Sequence, residues 1–207
     1  MLEAPEYRWS EEEVREFAGV ILEKSGYMET LIDDLSLTYR LKNGALPLEL
    51  KETDAAGLVR DIIGRFRKHP RFGSADIRFD PPDRPLVCRL DPRWMSRALE
   101  NLLANAFVHN PPGTRVQVSL SGETRDGRAS VAIAIRDNGR GMDPETAGRL
   151  FERYYRGTNT KEDAAGSGLG MAVARQIVLA HGGDIEVESA PGRGTAVHVR
   201  LYQEAAF

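Results

Sequence analysis

The sequence predicts an α+β fold, a two-layer α/β sandwich preceded by one long helix, and three observations carry that expectation. Apolar residues recur at helical spacing from Val14 to Leu41. Later runs alternate as half-buried strands do: Val116/Val118/Leu120, Val131/Ile133/Ile135, Ile185/Val187 and Val197/Val199/Leu201. Helical segments fall between the strands, which suit mostly antiparallel pairing. The pattern predicts a mixed sheet with one buried face and three helices packed on it.

The elements follow in order. Ser10-Glu11-Glu12-Glu13 is a capping-box start, and its acidic first turn suits the helix dipole. The apolar positions Val14, Phe17, Ala18, Ile21, Met28, Leu31, Ile32 and Leu35 then mark one face of a long helix, which Asn43-Gly44 stops. Nothing in its own segment covers that face. It either lies on the following domain or belongs to a helical bundle completed by another chain. Residues 46 to 52 read as a linker and entry strand. Asp54 opens a helix that runs to about His69 and closes at Pro70. Ile77-Arg78-Phe79 and Leu86–Leu90 read as short strands around a turn rich in Pro and Asp. Asp91-Pro92 gives an N-cap followed by Pro at the first helical position. That helix carries Met95, Ala98, Leu99, Leu102, Leu103, Ala106 and Phe107 on one face, before Pro111-Pro112. Asp126-Gly127 is a hairpin signal between two alternating runs. A helix from Leu169 to His181 stops at Gly182-Gly183, and the last hairpin turns around Pro191-Gly192-Arg193-Gly194.

Bulk properties narrow the function classes. The chain has 207 residues, 41% hydrophobic and 29% charged, which suits a globular protein with a real core. A net charge of −3 disfavours nucleic acid or an anionic membrane surface as partner. The lone Cys88 permits no internal disulfide, lies in an apolar run, and fits a reducing, cytoplasmic setting. No apolar stretch approaches the ~18–20 residues of a membrane span, so any anchor of a parent protein is expected outside this chain.

Four short segments carry chemistry. Asn101 and Asn105 in Glu100-Asn101-Leu102-Leu103-Ala104-Asn105 lie four apart on one helix face, and an amide oxygen suits Mg²⁺, although ordinary polar surface reads the same way. Asp137-Asn138-Gly139-Arg140-Gly141-Met142 follows a strand. Its carboxylate is placed to accept from an exocyclic amine such as that of adenine, and its glycines admit a flat ring; a plain turn is the alternative. Gly166-Ser167-Gly168-Leu169-Gly170 opens a helix, as a phosphate cradle or as a simple glycine-rich cap. It matches neither a dinucleotide fingerprint nor a P-loop. Gly192-Arg193-Gly194-Thr195 alone reads as a hairpin turn.

In this order and spacing, the four segments resemble the nucleotide-binding boxes of the histidine kinase catalytic domain, and Leu150-Phe151-Glu152-Arg153-Tyr154-Tyr155-Arg156 is similar to the family's phenylalanine box. The resemblance covers residues 46 to 202. Upstream, Leu22-Glu23-Lys24-Ser25 through Leu31-Ile32-Asp33-Asp34-Leu35 is similar to the second helix of the dimerisation and phosphotransfer domain. The resemblance implies the ATP-binding sandwich shared with type II topoisomerases, Hsp90 chaperones and MutL repair proteins. It divides the chain into residues 1–45, part of the helical domain, and residues 46–207, the catalytic domain. It implies ATP and Mg²⁺ as cofactors, with Asn105 on the metal and Asn101 at the phosphates. Asp137 takes the adenine amine, with Gly139, Gly141, Met142 and Thr195 around it. Gly166, Gly168, Leu169 and Gly170 cradle the phosphates, and His109 and Tyr155 line the pocket. Residues 143 to 166 form a mobile ATP lid, from which Arg156 and Lys161 reach the γ-phosphate. The implied partners are a response regulator and a second copy through the helical bundle, with a membrane-anchored parent holding this part in the cytoplasm.

Within the resembling superfamily, ATPases and anti-sigma serine kinases carry an acid four residues before the metal Asn, a general base toward water. Here that position is Asn101, which takes no proton. Glu100 beside it is rotated by about 100° on the helix. ATP hydrolysis and an anti-sigma role are therefore disfavoured, and the alternatives to a histidine kinase are a degenerate nucleotide-binding or partner-binding module or an anti-sigma-type serine kinase. None of His69, His109, His181 and His198 lies in the family's His-Glu/Asp-x-x-x-Pro acceptor motif. The chain is expected to begin near the end of the first bundle helix, at Met1-Leu2-Glu3, and to lack the acceptor. Val108 stands where the family commonly has Lys or Arg. Val108→Lys should tighten ATP binding by about 1 kcal/mol, roughly fivefold, in an equilibrium titration.

Overall fold

The structure, a computed structural model, describes residues 9–42, 47–70, 72–125, 128–155 and 168–202. Helix α1 spans Glu11–Lys42. Its start is the expected capping box: the Glu13 amide donates to Ser10 Oγ at 3.2 Å, and the Glu13 carboxylate accepts from the Ser10 amide at 2.8 Å. Leu37 is buried, whereas Val14, Phe17, Ile21, Met28 and Ile32 are at least half exposed. Among the described residues, most of the apolar stripe of α1 is therefore left exposed. The expected stop at Asn43-Gly44 and the segment Met1-Leu2-Glu3 lie outside the described residues.

The remaining elements are β1 (Lys51–Asp54), α2 (Ala55–Lys68), β2 (Asp76–Asp80), β3 (Val87–Leu90), α3 (Pro92–Val108), β4 (Arg115–Arg125), β5 (Arg128–Asp137), α4 (Pro144–Arg149), α5 (Gly170–Ala180), β6 (Asp184–Ser189) and β7 (Thr195–Tyr202). A five-stranded sheet has the order β2-β4-β5-β7-β6 and is antiparallel except for β2 against β4. The sandwich is thus as expected, with one difference in strand pairing. The strands around the Pro/Asp turn do not pair with each other: β2 joins the main sheet, while β3 pairs with β1 in a separate two-stranded sheet. Short strands of four and five residues are too brief to specify their own partner, so the neighbouring longer elements choose it. The Asp126-Gly127 turn lies outside the described residues, between the paired ends Arg125 and Arg128.

The inner sheet face supplies Val116, Val118, Leu120, Val131, Ile133, Ile135, Val197, Val199 and Leu201, all buried. Against it lie Val59, Ile62 and Phe66 of α2, Met95, Leu99 and Leu102 of α3, and Val173, Ile177 and Val178 of α5. Phe66 stacks on Phe72 with ring centres 4.2 Å apart, and Phe107 closes the cluster at 5.8 Å from Phe66, fixing the last turn of α3 against α2. Cys88 is buried, and desolvation pushes its thiol up to about 11, which makes it a packing residue rather than a nucleophile. Among the described residues no helix is long and apolar enough to cross a membrane.

One polar node sets the start of α3. Asp91, 5% exposed, accepts through Oδ1 from the Arg93 and Trp94 amides at 3.0 and 3.2 Å, and through Oδ2 from the Glu49 amide at 2.9 Å. Its own amide donates to Nε2 of His181 at 3.0 Å, and the other ring nitrogen faces the Ile177 carbonyl at 2.7 Å. Since Nε2 accepts, Nδ1 carries the proton and donates. His181 therefore ties the end of α5 to the start of α3. Asp91→Ala should lower the unfolding free energy by about 2 kcal/mol, from the lost cap and the stranded Glu49 amide, as read by urea unfolding.

Candidate functional site

Three apolar columns on the inner sheet face end in a polar residue at the same rim. On β5, Val131, Ile133 and Ile135 are followed by Asp137; on β7, Leu201, Val199 and Val197 lead back to Thr195; on β6, Ile185 and Val187 lead to Ser189. Ser189 is register partner of Thr195. The period of two thus aims three polar groups inward, where the core ends and a ligand can enter.

Asp137 is 6% exposed. Its Oδ1 accepts from the Gly139 amide at 2.8 Å, Asn110 Nδ2 at 3.1 Å and the Thr195 amide at 3.2 Å. Among the described residues no protein donor reaches Oδ2. Burial pushes this carboxyl above the ordinary aspartate range, and the three hydrogen bonds oppose that shift. One oxygen is saturated by the protein and the other is left to accept from something else.

The backbone around Asp137 requires glycine. At Gly141, with φ 67°, an added Cβ would sit 1.9 Å from the Ala190 carbonyl oxygen; at Gly194, with φ 73°, it would sit 2.0 Å from that of Asp137. The loop is laced to the last hairpin. The Met142 amide donates to Ser189 Oγ at 2.9 Å, Ser189 Oγ lies 2.9 Å from the Gly194 carbonyl and 3.0 Å from Thr195 Oγ1, and the Gly192 amide donates to the Arg140 carbonyl. Thr195 therefore holds Asp137 through its main chain, while its hydroxyl turns to Ser189.

Helices α3 and α5 form the other side. Asn101 Nδ2 donates to the Gly170 carbonyl at 3.0 Å, pegging the start of α5 to α3. Asn105, one turn further on, is half-buried, and its side chain makes no hydrogen bond to protein among the described residues. α5 opens after Leu169 with no side-chain cap bond from that residue, an arrangement that suits an anion. Gly168, with φ 66°, accepts from the Tyr154 amide at 3.0 Å. Glu100 is turned away, its carboxylate 2.8 Å from Arg65.

The sequence-predicted residues thus fall into two linked groups. Asp137, Gly139, Gly141, Met142 and Thr195 meet at the sheet rim, while Asn101 meets Gly170 where α3 faces the start of α5; Asn105 follows one turn along α3, and Gly168 lies against Tyr154 just before α5. Three others stand differently. Leu169 is 3% exposed, so only its main chain can serve a ligand. His109 is the C-cap of α3. Tyr155 lies under Arg149, 4.2 Å from ring centre to guanidinium, with its hydroxyl 3.5 Å from Thr146 Oγ1; it packs on α4 and not on the Asp137 group. Arg156, Lys161 and Gly166 lie outside the described residues. Residues 144 to 149, expected as lid, form α4, whose N-cap Asp143 accepts from the Thr146 amide at 2.8 Å. The sequence reading missed Asn110 and Ser189. The inward phase of Ile185/Val187 already pointed to Ser189, whereas Asn110 sits just past a helix end, where no periodicity applies.

A metal at this site has to rely on amide and ligand oxygens. Among the described residues no group of three or more His, Cys, Asp or Glu side chains could hold an ion. The uncommitted Asn105 oxygen fits a cation such as Mg²⁺, which keeps waters and borrows phosphate oxygens.

Comparison with known proteins follows the same lines. Residues 90–205 match the family model described as histidine kinase-, DNA gyrase B-, and HSP90-like ATPase. The chain is 47% identical over 199 residues to the sensor histidine kinase YvrG of Bacillus subtilis (strain 168), covering 96% of the chain and 34% of that protein. It spans about a third of that relative's length. Among solved structures it is similar to the mycobacterial sensor histidine kinase MprB, with TM-score 0.61, 30% identity, and coverage of 74% of this chain and 97% of that one. It shares its fold with full-length ShkA in complex with AMPPNP, with TM-score 0.75, 23% identity, and coverage of 97% and 41%.

The electrostatics of Asp137 give a test. Its raised value means the folded state binds that proton more tightly than the unfolded state. Its contribution to stability therefore falls as pH rises from the ordinary aspartate range through the raised value. At pH 7 the buried charge is a cost that Asp137→Asn removes, while the amide oxygen keeps the three donors. Asp137→Asn should unfold in urea at the same or higher concentration than the parent, yet weaken adenine nucleotide binding by about tenfold or more. In the parent, affinity should fall as acid protonates Asp137; the Asn variant should show no such step.

Proposed function

Because the chain belongs to the histidine kinase-, DNA gyrase B- and HSP90-like ATPase family, we propose that it binds Mg-ATP and donates the γ-phosphate to a histidine on the helical dimerisation domain of a sensor histidine kinase. The observation that carries this reading is the half-satisfied carboxylate of Asp137. Its Oδ2 is the acceptor for the exocyclic amine of adenine, and the glycine backbone at 139 and 141 lets the ring lie close. Gly168, Gly170 and the first amides of α5 receive the phosphates, with Gly166 completing the cradle. Asn105 holds Mg²⁺, which supplies charge neutralisation to the phosphate oxygens. Arg156 and Lys161 meet the γ-phosphate.

The choice of nucleophile follows from two neighbours on α3, Asn101 and Glu100. Asn101 takes no proton and its amide is tied to Gly170. Glu100 is paired with Arg65 on another side of α3. Neither activates water, so bound ATP persists until an imidazole nitrogen is brought in line. That nitrogen bonds to the γ-phosphorus as the bond to the β,γ-bridging oxygen breaks, and ADP leaves. The chain's own histidines fit this role poorly: His181 has both ring nitrogens engaged, and none of His69, His109 and His198 lies in the family's acceptor motif. The acceptor therefore belongs to the first helix of the bundle, to which the exposed stripe of α1 presents a matching face. In the parent protein this arrangement dimerises through the bundle and relays phosphate to an aspartate of a response regulator, from the cytoplasmic side of a membrane anchor.

Incubation with γ-labelled ATP and Mg²⁺ should leave this chain unlabelled, with phosphate release near background. Addition of a bundle domain carrying the acceptor histidine should give acid-labile label on that domain. Stable label on this chain alone, or rapid steady phosphate release, would contradict the assignment.

A further inference from the structure

Asn110 joins the two halves of the pocket. It follows the last turn of α3, and its amide side chain uses both N–H groups and its oxygen. Nδ2 donates to the Ala106 carbonyl at 2.9 Å and to Asp137 Oδ1 at 3.1 Å, and Oδ1 accepts from the Arg140 amide at 3.0 Å. Ala106 is the residue after Asn105 on α3. The side chain lies flat on Gly139, where an added Cβ would come within 2.1 Å of its Cγ and Oδ1. Two fixed main-chain points, one on the helix and one on the loop, therefore orient the amide, and the amide in turn holds one oxygen of Asp137.

We propose that Asn110 is a positioning residue for base selection: by anchoring Oδ1 of Asp137 to the end of α3, it turns Oδ2 toward the 6-position of the purine. This proposal rests on the ATP reading of the pocket. Without Asn110, Asp137 keeps the Gly139 and Thr195 amides, but its plane is no longer set from the helix side and the 138–141 loop loses its tie to α3. Affinity from the triphosphate survives such a change, whereas selection at the 6-position does not. The residue type is also specific: aspartate has no N–H to give to either acceptor, and serine does not span the gap.

The test compares ATP with inosine triphosphate, which carries the same triphosphate and a 6-oxo group in place of the 6-amine. An oxygen there faces the Asp137 carboxylate with no proton to donate, so the 207-residue chain should prefer ATP by about tenfold or more. In Asn110→Ser the ratio of the two dissociation constants should fall to about threefold or less. A general loss of folded protein would weaken both ligands alike and leave the ratio unchanged. Gly139→Ala, which displaces the Asn110 side chain without removing it, should collapse the ratio in the same way, and serves if Asn110→Ser does not fold. A wild-type ratio in either folded variant overturns the proposal, as does a parent chain that binds both nucleotides equally. A parent chain that binds neither nucleotide overturns the ATP reading itself, and this proposal with it.

Discussion

A carboxylate buried at the end of a central strand organises the pocket. Taking Asp137 out of water disfavours its charge, and the fold answers with three N–H donors that all converge on Oδ1. Those donors come from its own loop, from the β7 strand and from the end of α3. Holding the charge thus draws three separate segments to one point. The same arrangement leaves Oδ2 as an acceptor in a partly dry setting, where one hydrogen bond to a ligand is worth more than in water and a mismatched group costs more. Stability and recognition pull in opposite directions at this residue, as expected where a fold carries a binding group at its core edge.

The glycines follow from that convergence. Three segments meeting around one carboxylate leave no volume for side chains between their backbones. Gly139 has the Asn110 amide against it, Gly141 the Ala190 carbonyl and Gly194 the Asp137 carbonyl. At Gly141 and Gly194 the backbone is also left-handed, so both sterics and conformation select the same residue. Ser189 adds a hydroxyl that bridges the Met142 amide and the last hairpin, so the loop is held from the β6 side as well.

α3 serves two sides of the site at once. Its inner face is core, and its Phe107 packs into the aromatic cluster with Phe66 and Phe72. Its polar edge carries Asn101, which pegs α5, and Asn105, which stays uncommitted. An amide at position 101 donates to the Gly170 carbonyl without placing a negative charge at the start of α5. A carboxylate there would offer no such donor, and would favour water as a nucleophile.

Much of this was legible in one dimension. The capping box at Ser10, the Asp54 and Asp91 caps and the alternating strands depend on spacing within a few residues, so the sequence alone determined the helices, the long strands and the sandwich class. The order of the Asn, Asp-Gly and Gly-rich segments likewise pointed to the sheet rim around Asp137 and to the start of α5. Tertiary structure decided what depends on partners distant in the chain. It sent β2 and β3 to different sheets, placed α4 where a loop was expected, and turned Tyr155 onto Arg149. It gave Thr195 a main-chain role and brought in Asn110 and Ser189, each through a bond to a residue 27 to 47 positions away. The physical reason is that periodicity encodes which face a residue shows to its own element. Which donor reaches Asp137, and from which side, is settled only when the sheet and helices have packed and every buried polar group has found its partner.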